Sequence, residues 1–317
     1  MFNNSMSSEP IFVTILCLTY NHESYIRQCL DGFVMQQTNF RFEAIVHDDA
    51  STDSTTDIIR EYAEKYPDII KPIYETENQY SKHDGSLGRI MTAAVHGKYI
   101  ALCEGDDYWT DSLKLQKQVD ILENNDNCSL VISNGIIHNE RTSINRVINP
   151  LGRIQTGFVD DSILLKESGG LIPTCSMMYR SSDINMPEFF HQAPVGDRPL
   201  RMWLILRGKS FYFNEAMITY RAQSIGSFTQ RVHHSLEYAQ NILNGMNRFF
   251  DAYNEFTHYK YFTEIQYMKD RELYIYYMRI GNYSACLKSS FYKSMKLAKR
   301  IRAFLVICYR KINQLCK

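Results

Sequence analysis

The sequence predicts an α/β fold in which a mostly parallel sheet is flanked by helices and followed by a helical C-terminal extension. Short apolar runs rich in β-branched residues alternate with amphipathic stretches through the first half of the 317-residue chain. That alternation is typical of βαβ units, whose parallel strands are buried on both faces. Beyond about residue 232 the pattern becomes helical and rich in tyrosine, which predicts the extension.

The elements of the first half follow from these runs. We predict strands near residues 11–18, 42–47, 69–74, 98–103 and 129–133. We predict helices near residues 24–36, 54–66, 87–96 and 111–124. Asp53 and Ser54 stand just before the second helix and are suited to cap it.

The pattern is less regular after the fifth strand. Residues 134–160 are rich in turn formers, and "TCSMMYR" (174–180) has the composition of a strand. A helix is predicted over residues 200–208, followed by two short strands that end at Tyr220.

Composition and charge argue against several classes of protein. The chain is 44% hydrophobic and 22% charged, which is ordinary for a globular protein and argues against general disorder. Lysine plus arginine and aspartate plus glutamate both number 35, so the overall charge suggests no nucleic-acid partner.

Cysteine usage and the N-terminal residues predict a cytoplasmic location. The eight cysteines form no C-x-x-C pair and no His/Cys metal spacing, which fits a reducing compartment. Residues 1–10 are polar and lack the basic flank of a signal peptide. The apolar run that follows, "IFVTILCL", is too short to span a bilayer and is better interpreted as the first strand.

A cluster of carboxylates follows the fourth predicted strand. In "EGDDYW", Glu104, Asp106 and Asp107 fall within four positions of a glycine-containing loop. Mg²⁺ or Mn²⁺ is typically held by one or two protein carboxylates together with phosphate oxygens and water. The alternative is an acidic loop in which Asp106 or Asp107 caps the helix predicted from residue 111.

Two further polar loops follow the first and second strands. "HDDASTD" places Asp48 and Asp49 at a strand end, where a carboxylate can accept a hydrogen bond from a base imide or a ribose hydroxyl. "TYNHE" offers Tyr20 for stacking on a base, with Asn21 supporting the loop. Turn and cap chemistry explains Ser51 to Asp53 but does not require the two acids that precede them. Tyr20 alone is equally well explained as a half-buried aromatic.

The three loops together predict a pocket for a nucleoside diphosphate. In open parallel sheets ligands bind at the carboxyl ends of the strands, where these loops meet. An aromatic and an acid would contact the base, further acids would contact ribose and metal, and the metal would sit on the diphosphate. No G-x-G-x-x-G or G-x-x-x-x-G-K-[ST] motif occurs, which disfavours a dinucleotide fold and a P-loop ATPase.

Four segments in order carry a family resemblance. They are "VTILCLTYNHESYIRQCLDGFVMQQ", "FEAIVHDDASTDSTTDIIREYAEKYPD", "GKYIALCEGDDYWTDSLKLQKQVDILE" and "GDRPLRMWLILRGKSFYFNEAMITYR". Over roughly residues 11–228 they resemble family 2 glycosyltransferases of the GT-A fold. The resemblance implies transfer of a sugar from a nucleotide-diphosphate donor, usually UDP-linked, to an acceptor hydroxyl with inversion. It also implies Mn²⁺ or Mg²⁺ as cofactor.

The resemblance assigns roles to residues of the donor site. Tyr20 and Asp49 would contact the base. Asp106 would contact both the ribose and the metal ion, and Asp107 would be a ligand of the metal ion. Arg89 would reach the nucleotide, although its match to the family pattern is loose. The remaining donor-site residues implied are Thr19, Asn21, Glu23, Asp48 and Glu104.

Two departures from the family pattern stand out. The acidic loop begins with Glu104 where the family usually has aspartate, and its longer side chain should still reach the metal or ribose. The family's frequent Tyr-Arg-x-His motif appears as "YRAQ", with Gln223 in place of the histidine. We therefore leave Gln223 out of the predicted site.

Asp197, in "PVGDRPL", matches the position of the family's catalytic acid. Inverting transfer needs a base on the face of the sugar opposite the departing diphosphate, and a carboxylate can take the acceptor's proton there. The alternative is a helix N-cap, since Asp197 lies just before Pro199 at a plausible helix start. We also predict that Thr174, Cys175 and Ser176 form the acceptor-side wall, with core packing as the alternative for Cys175.

The resemblance and the segment composition together suggest a domain division. We predict a polar segment over residues 1–10 and a catalytic domain over 11–230. Residues 11–133 of that domain would form the nucleotide-binding half, and residues 134–230 the acceptor-binding half. Residues 231–317 would form a helical, basic extension.

The last thirty residues, 288–317, alternate basic and apolar side chains. A basic amphipathic helix with aromatics is typical of one that lies on an anionic membrane surface. A helix packed on the protein with a solvated basic face is the alternative. The sequence thus predicts a cytoplasmic protein. It leaves open whether residues 288–317 contact the inner face of the cell membrane.

The predicted function is a metal-dependent inverting glycosyltransferase of cell-surface polysaccharide synthesis (capsule, O-antigen or exopolysaccharide). Its partners would be a nucleotide-sugar donor and a glycan or lipid-linked sugar acceptor. One alternative is a sugar nucleotidyltransferase, although "TYNHESY" stands where that class has a glycine-rich basic loop. Another is a nucleotide-sugar binding protein without turnover, against which Asp197 argues.

Overall fold

The computed structural model describes residues 9–82, 84–149, 154–166, 172–225 and 235–315. The chain divides into two compact units. The first unit comprises residues 1–191 and 196–227, and the second comprises residues 192–195 and 228–317.

In the ranges that the structure describes, a ten-stranded sheet forms the centre of the first unit. Its strands are β1 (Val13–Thr19), β2 (Phe42–Asp48), β3 (Ile70–Tyr74), β4 (Tyr99–Leu102), β5 (Tyr108–Trp109), β6 (Cys128–Asn139), β7 (Ile144–Val147), β8 (Gly157–Val159), β9 (Met178–Arg180) and β10 (Lys209–Ala222). The order across the sheet is β3-β2-β1-β4-β9-β6-β10-β5, while β7 pairs with β6 and β8 pairs with β10.

Helices cover this sheet along the chain. In the described part of the first unit they are α1 (Ile26–Val34), α2 (Thr55–Lys65), α3 (Ser86–Ala93), α4 (Lys114–Asn124), α5 (Asp161–Lys166), α6 (Glu188–His191) and α7 (Asp197–Arg207). The amphipathic helices α1, α2 and α4 bury their apolar side chains in the same core as β1, β2 and β4. All seven residues of β2 are buried, as expected for a central strand of a parallel sheet.

The first four strands are parallel, as predicted, whereas the other half of the sheet is mixed. β2 pairs with β1 and β3, and β1 pairs with β4, all in parallel. β9 then inserts antiparallel between β4 and β6, while β6 and β10 are parallel. The parallel half brings the carboxyl ends of β1, β2 and β4 to one edge of the sheet, which is where the polar loops begin.

Several predicted elements after residue 128 need correction. Residues Thr174–Ser176 form a 3₁₀ turn, so the strand predicted over 174–180 is confined to β9. The two short strands predicted before Tyr220 are one strand, β10, in which the register slips near Asn214 and Glu215. A bulge absorbs these two polar residues without ending the strand.

The turn-rich stretch that begins at residue 134 also starts as a strand, because β6 continues to Asn139 and forms a hairpin with β7.

The cap predicted for α2 is made by Asp53 rather than by Ser54. Asp53 Oδ1 accepts a hydrogen bond from the Thr55 amide at 3.0 Å, while the Ser54 side chain makes no cap bond. The sequence had placed both residues at the helix start. The carboxylate satisfies a backbone N–H that the first turn of a helix leaves unpaired.

The second unit is helical in its described residues. Its helices are α8 (Leu236–Phe256), α9 (Phe262–Arg279), α10 (Tyr283–Lys288), α11 (Ser290–Ser294) and α12 (Leu297–Leu315). The C-terminal part has a small core of tyrosines with Cys286 and Ile307, which explains the tyrosine-rich composition. Within the described ranges, no helix combines the length and the hydropathy needed to cross a bilayer.

Candidate active site

The three polar loops meet at the carboxyl edge of the parallel half. Thr19, the last residue of β1, pairs in register with Asp48, the last residue of β2. The Asp49 amide donates to the Thr19 carbonyl at 3.0 Å, and the Gly105 amide donates to the Leu18 carbonyl at 2.9 Å. These backbone bonds join the loops after β1, β2 and β4 into one surface.

Gly105 permits the close approach of the first and third loops. A Cβ atom at this position would lie 2.9 Å from both His22 Nδ1 and Thr19 Cγ2. Any larger residue would therefore push the acidic loop away from the end of β1. The glycine of "EGDDYW" is required by packing between loops, which the sequence alone did not indicate.

The first loop is fastened to the second by side-chain hydrogen bonds. Asn21 has a left-handed backbone with φ of 55°, and its Oδ1 accepts from the Thr52 amide at 2.8 Å. Glu23 Oε2 accepts from the Ser54 amide at 3.0 Å. Tyr20 remains 45% exposed beside them. Asn21 and Glu23 therefore shape the loop, while the Tyr20 ring is accessible for stacking.

The two aspartates of the second loop are buried and hold backbone segments. Asp48 accepts from the Ser51 amide at 3.2 Å and from the Thr56 hydroxyl. Asp49 Oδ1 accepts from the Gln79 amide at 2.6 Å, and its Oδ2 accepts from the Tyr80 amide at 3.0 Å. Asp49 thus fixes the segment that follows β3. A carboxylate has about four acceptor sites, so its oxygens can each take a further donor.

The acidic loop is held by residues distant in sequence. Asp106 Oδ2 accepts from the Ser224 hydroxyl at 2.6 Å, and Asp107 Oδ1 accepts from the Arg221 amide at 2.7 Å. Neither aspartate caps α4. That helix begins at Lys114, and it is Asp111 that accepts from the Leu113 amide at 2.8 Å. The helix-cap alternative for this loop is therefore wrong.

Glu104 faces the acceptor-side residues and the catalytic candidate. The Thr174 hydroxyl stabilises its charged form, while its Oε2 is buried and has no hydrogen-bond partner among the described residues. Burial, followed by the charges of Asp106 and Asp197, raises the pKa of Glu104 to about 7. The charge effect shows that α7 brings Asp197 near the acidic loop.

Asp107 lies deeper in the same loop. Burial, then the neighbouring charges of Asp106 and Glu104, raise its pKa well above the usual range of an aspartate. The Arg221 amide and the Cys175 thiol partly offset this by stabilising the carboxylate. Burial is the larger cause in both residues, and repulsion among the three carboxylates of the loop adds to it, so a positive charge placed among them would stabilise their ionised forms.

Arg221 is the positive group that the chain does supply. Its side chain donates to the Asp106 carbonyl at 2.6 Å and forms an ion pair of 2.9 Å with Glu140. Its guanidinium carbon lies 4.6 Å from the Tyr108 ring centroid, and the residue is only 7% exposed. Arg221 stands in the "YRAQ" motif, but nothing local to that motif indicated contact with a loop 115 positions earlier.

We expect Arg221→Met to destabilise the protein by about 3–5 kcal/mol, the usual cost of breaking a buried ion pair. Glu140 and the acidic loop would keep their charge without the guanidinium. Arg27→Met is the matched control. It breaks an ion pair with Glu61 in which both side chains are more than half exposed, and it should cost far less stability than Arg221→Met. Urea unfolding measures both, and equal losses would contradict the assigned role.

The pKa of Glu104 predicts a pH effect on stability in the presence of a chelator. The folded chain holds this proton up to a pH of about 7, whereas an unfolded chain releases it near 4.5. The stability that the Glu104 proton contributes is therefore fully present below pH 4.5 and is lost as the pH rises towards 7.

We expect a Glu104→Gln variant to gain stability relative to wild type between pH 5 and 8, since the glutamine has no proton to lose. Melting curves in EDTA test this. Glu188→Gln, at an exposed position on α6, should show a constant difference from wild type. A constant difference for Glu104→Gln as well would refute the assignment.

Asp197 is the first residue of α7, and Gly196 occupies the cap position. Within the described ranges the Asp197 carboxylate has no hydrogen bond or ion pair, and it is partly exposed. The alternative in which Asp197 serves as the helix N-cap is therefore not supported. A carboxylate at the N-terminus of a helix is stabilised there by the helix dipole.

The acceptor-side residues fall into two groups. Thr174 and Cys175 face the carboxylates of Glu104 and Asp107. Thr174 is partly exposed, whereas Cys175 and Ser176 are both fully buried. Cys175 is part of the hydrophobic core, as the core-packing alternative expects, and the Ser176 hydroxyl donates to the Pro173 carbonyl at 2.7 Å. The Cys175 carbonyl also accepts from Trp109 Nε1 at 2.9 Å, which ties the 3₁₀ turn to β5.

Arg89 lies apart from these groups. It is exposed on α3 and donates to the Asp84 carbonyl at 2.9 Å. Among the described residues no hydrogen bond or ion pair links its side chain to the acidic loop.

His22 is a site neighbour that the sequence did not single out. Its Nδ1 is buried beside Gly105 without a hydrogen-bond partner in the described part of the chain. Burial lowers the pKa of His22, although the charge of Asp106 acts in the opposite direction. The histidine is part of "TYNHE", and only its packing against the acidic loop gives it a place in the site.

The carboxylates fit a divalent cation that brings further ligands with it. Within the described ranges, no three histidine, cysteine or carboxylate side chains converge closely enough to hold a metal by themselves. Mg²⁺ and Mn²⁺ sites commonly use one or two carboxylates and leave the remaining positions to phosphate and water. Such a cation would offset the repulsion that Asp106 and Glu104 exert on Asp107, and it would provide a partner for the buried Glu104 Oε2, which has none among the described residues.

Comparison with known proteins identifies the family. Residues 14–186, more than half of the chain, match the sequence model described as "Glycosyl transferase family 2". The chain belongs to this family. The match covers β1 to β9 with all three polar loops, so the site described above lies largely within the family's shared region.

Curated relatives are similar over parts of the chain. The uncharacterized protein Rv1520 of Mycobacterium tuberculosis is 50% identical over 111 residues, which is 35% of this chain but only 31% of the relative's length. The putative teichuronic acid biosynthesis glycosyltransferase TuaG of Bacillus subtilis is 25% identical over 221 residues, 68% of this chain and 81% of TuaG.

Solved structures confirm the predicted fold class. S. aureus TarS 1-349, in complex with UDP, has a TM-score of 0.57 and 16% identity over 92% of this chain and 77% of that chain. Mannosyltransferase PcManGT from Pyrobaculum calidifontis, in complex with GDP-Man and Mn²⁺, has a TM-score of 0.56 and 14% identity over 96% of this chain and 81% of its own. The GT-A fold predicted for this chain is thus confirmed.

Proposed function

We propose that this family 2 glycosyltransferase transfers a sugar from a nucleotide-diphosphate donor, a UDP-sugar in the first instance, to an acceptor hydroxyl with inversion. One observation carries the proposal. Backbone hydrogen bonds join the three strand-end loops at one edge of the sheet. The acidic loop gathers three carboxylates within reach of the charge of Asp197, whose side chain has no hydrogen bond or ion pair among the described residues. TarS with UDP and PcManGT with GDP-Man and Mn²⁺ support a nucleotide ligand and a divalent cation.

The donor would lie across the three loops. The exposed Tyr20 ring stacks on the base, and Asp49, held by two backbone amides, accepts from the base N–H with its remaining lone pairs. Asp106 contacts the ribose and, with Asp107, holds the Mn²⁺ or Mg²⁺. A cation held there would supply positive charge to offset the negative charge of the departing diphosphate. In this proposal residues 11–133 form the nucleotide-binding half of an 11–230 catalytic domain.

The acceptor would enter from the side of Thr174 and Cys175. Its hydroxyl attacks the anomeric carbon on the face opposite the diphosphate. Asp197 accepts the hydroxyl proton as the new glycosidic bond forms, which requires its carboxylate to lie within hydrogen-bond reach of that hydroxyl. The similarity to TuaG supports an acceptor that is a glycan or lipid-linked sugar of cell-surface polysaccharide synthesis.

A thermal-shift panel tests this proposal. UDP-, GDP- and dTDP-sugars are each added to the protein with Mn²⁺ and with EDTA. We expect one nucleotide class to raise the melting temperature only when Mn²⁺ is present, because a ligand that binds the folded state stabilises it. If no nucleotide sugar shifts the melting temperature under either condition, the proposed function is wrong.

A further inference from the structure

Helix α12 has two apolar faces, and among the described residues one of them is packed and the other is exposed. Ile307 is 1% exposed and packs with Ala303 into the tyrosine core of the second unit. The opposite side, which we call the outer face, consists of Leu297, Ile301, Phe304, Leu305 and Tyr309. These five side chains are 46–71% exposed.

The outer face is a continuous stripe. Its residues follow Leu297 at intervals of four, seven, eight and twelve positions, which fall on one side of a helix with 3.6 residues per turn. Scattered exposed apolar residues need no explanation, but five in one stripe on a single helix indicate a surface that binds something.

Basic side chains border this stripe on both sides. At about 100° per residue, Arg302 falls beside Tyr309, whereas Lys311 falls on the other border next to Phe304. Both basic side chains are exposed, as are Lys293, Lys296 and Lys299. No aspartate or glutamate occurs after Glu272, so no acidic side chain of this segment offsets their charge.

We propose that the outer face of α12 binds the surface of a lipid bilayer that contains anionic headgroups. The apolar stripe would enter the boundary between headgroups and acyl chains, and the bordering lysines and arginines would contact lipid phosphates. This inference rests on the second unit alone and does not depend on the proposed donor chemistry.

Charge decides between a bilayer and a second copy of this chain. Two outer faces in contact would bring two basic borders together, and like charges at close range oppose association. An anionic membrane provides the complementary charge over the whole length of the helix. The bilayer is therefore the better occupant of this face.

The test is co-sedimentation of the full chain with phosphatidylcholine vesicles, with and without phosphatidylglycerol. We expect binding to the vesicles with phosphatidylglycerol and little binding to those without it. Phe304→Gln combined with Leu305→Gln keeps good helix formers but removes apolar surface, and it should weaken binding roughly tenfold or more. Ile144→Gln, at a 63% exposed position on β7, is the control and should bind as wild type does.

A second variant tests the electrostatic contribution to vesicle binding. Arg302→Gln combined with Lys311→Gln should weaken binding at low salt by about 25-fold, since each basic residue near an anionic surface contributes about fivefold. Circular dichroism shows whether each variant keeps its helix content.

Three outcomes would overturn the proposal. They are absence of vesicle binding, equal binding to both vesicle types, and wild-type binding by a folded Phe304/Leu305 variant. A dimer that this variant dissociates, together with no vesicle binding, would assign the face to a second copy instead. Since no nucleotide or transfer reaction is measured, failure here is separate from failure of the proposed function.

Discussion

An Asp197→Asn variant should lose transfer by roughly 10²- to 10⁴-fold, the usual contribution of a general base. Asparagine is nearly isosteric with aspartate but cannot accept the acceptor's proton. The side chain has no hydrogen bond or ion pair in the described part of the chain, so the substitution removes no structural contact. Donor affinity, measured as the Mn²⁺-dependent thermal shift, should stay near the wild-type value.

Release of nucleoside diphosphate from the preferred donor, with a glycan or water as acceptor, measures the loss. Glu188→Gln removes a nearby exposed carboxylate from α6 and should leave the rate unchanged. Transfer close to the wild-type rate in Asp197→Asn would exclude this residue as the base. If Asp197→Asn still binds the donor but no longer transfers the sugar, the variant has lost its base and has kept its donor site.

An Asp107→Asn variant should lose at least about 100-fold in metal affinity in the presence of nucleotide. Substitution of a residue that only orients a metal ligand already lowers metal affinity by about 10- to 100-fold. Loss of a carboxylate ligand should lower the affinity further. The amide oxygen can still accept from the Arg221 amide, which keeps the loop attached to β10. Donor binding and transfer should fall together, because both depend on the cation in the proposed site.

Asp111→Asn is the matched control for Asp107→Asn. Asp111 lies four positions later, supports the start of α4, and forms a 2.8 Å ion pair with Lys117. Its loss should lower stability slightly and leave metal affinity unchanged. Manganese titration in the presence of UDP measures both variants. Unchanged metal affinity in Asp107→Asn would mean that the cation, if bound, is held elsewhere.

Much of the fold could be predicted because the first half of the chain is locally consistent. The β-branched runs of β1, β2 and β4, and the amphipathic patterns of α1, α2 and α4, match the elements they form. The antiparallel insertion of β9 between β4 and β6 could not be predicted, because it pairs segments far apart in the chain. β9 is also only three residues long, which is too short for a sequence pattern to distinguish a strand from a turn.

The candidate site was predictable in its residue types but not in its internal contacts. The three polar loops converge as expected at the ends of parallel strands. The partners of Asp49, however, are backbone amides of residues 79 and 80, which leave no trace in sequence patterns. The roles of Ser224 and Arg221 likewise depend on β10 reaching the acidic loop. Contact of Asp48, Asp49 and Arg89 with the donor stays a prediction.

The central question is what balances the charge of the acidic loop. Arg221 accounts for part of it, while burial and, after it, repulsion between neighbouring carboxylates raise the pKa values of Glu104 and Asp107. In the proposed function the remaining counter-charge arrives with the donor, as a divalent cation shared between Asp107 and a diphosphate. Metal and nucleotide should therefore bind cooperatively.

Isothermal titration of Mn²⁺ into the full chain, with and without saturating nucleoside diphosphate, tests this most directly. The prediction is one Mn²⁺ per chain that binds at least about tenfold more tightly when the nucleotide is present, with the reciprocal effect on nucleotide affinity. Nucleotide that binds equally well in Mn²⁺ and in EDTA would contradict it.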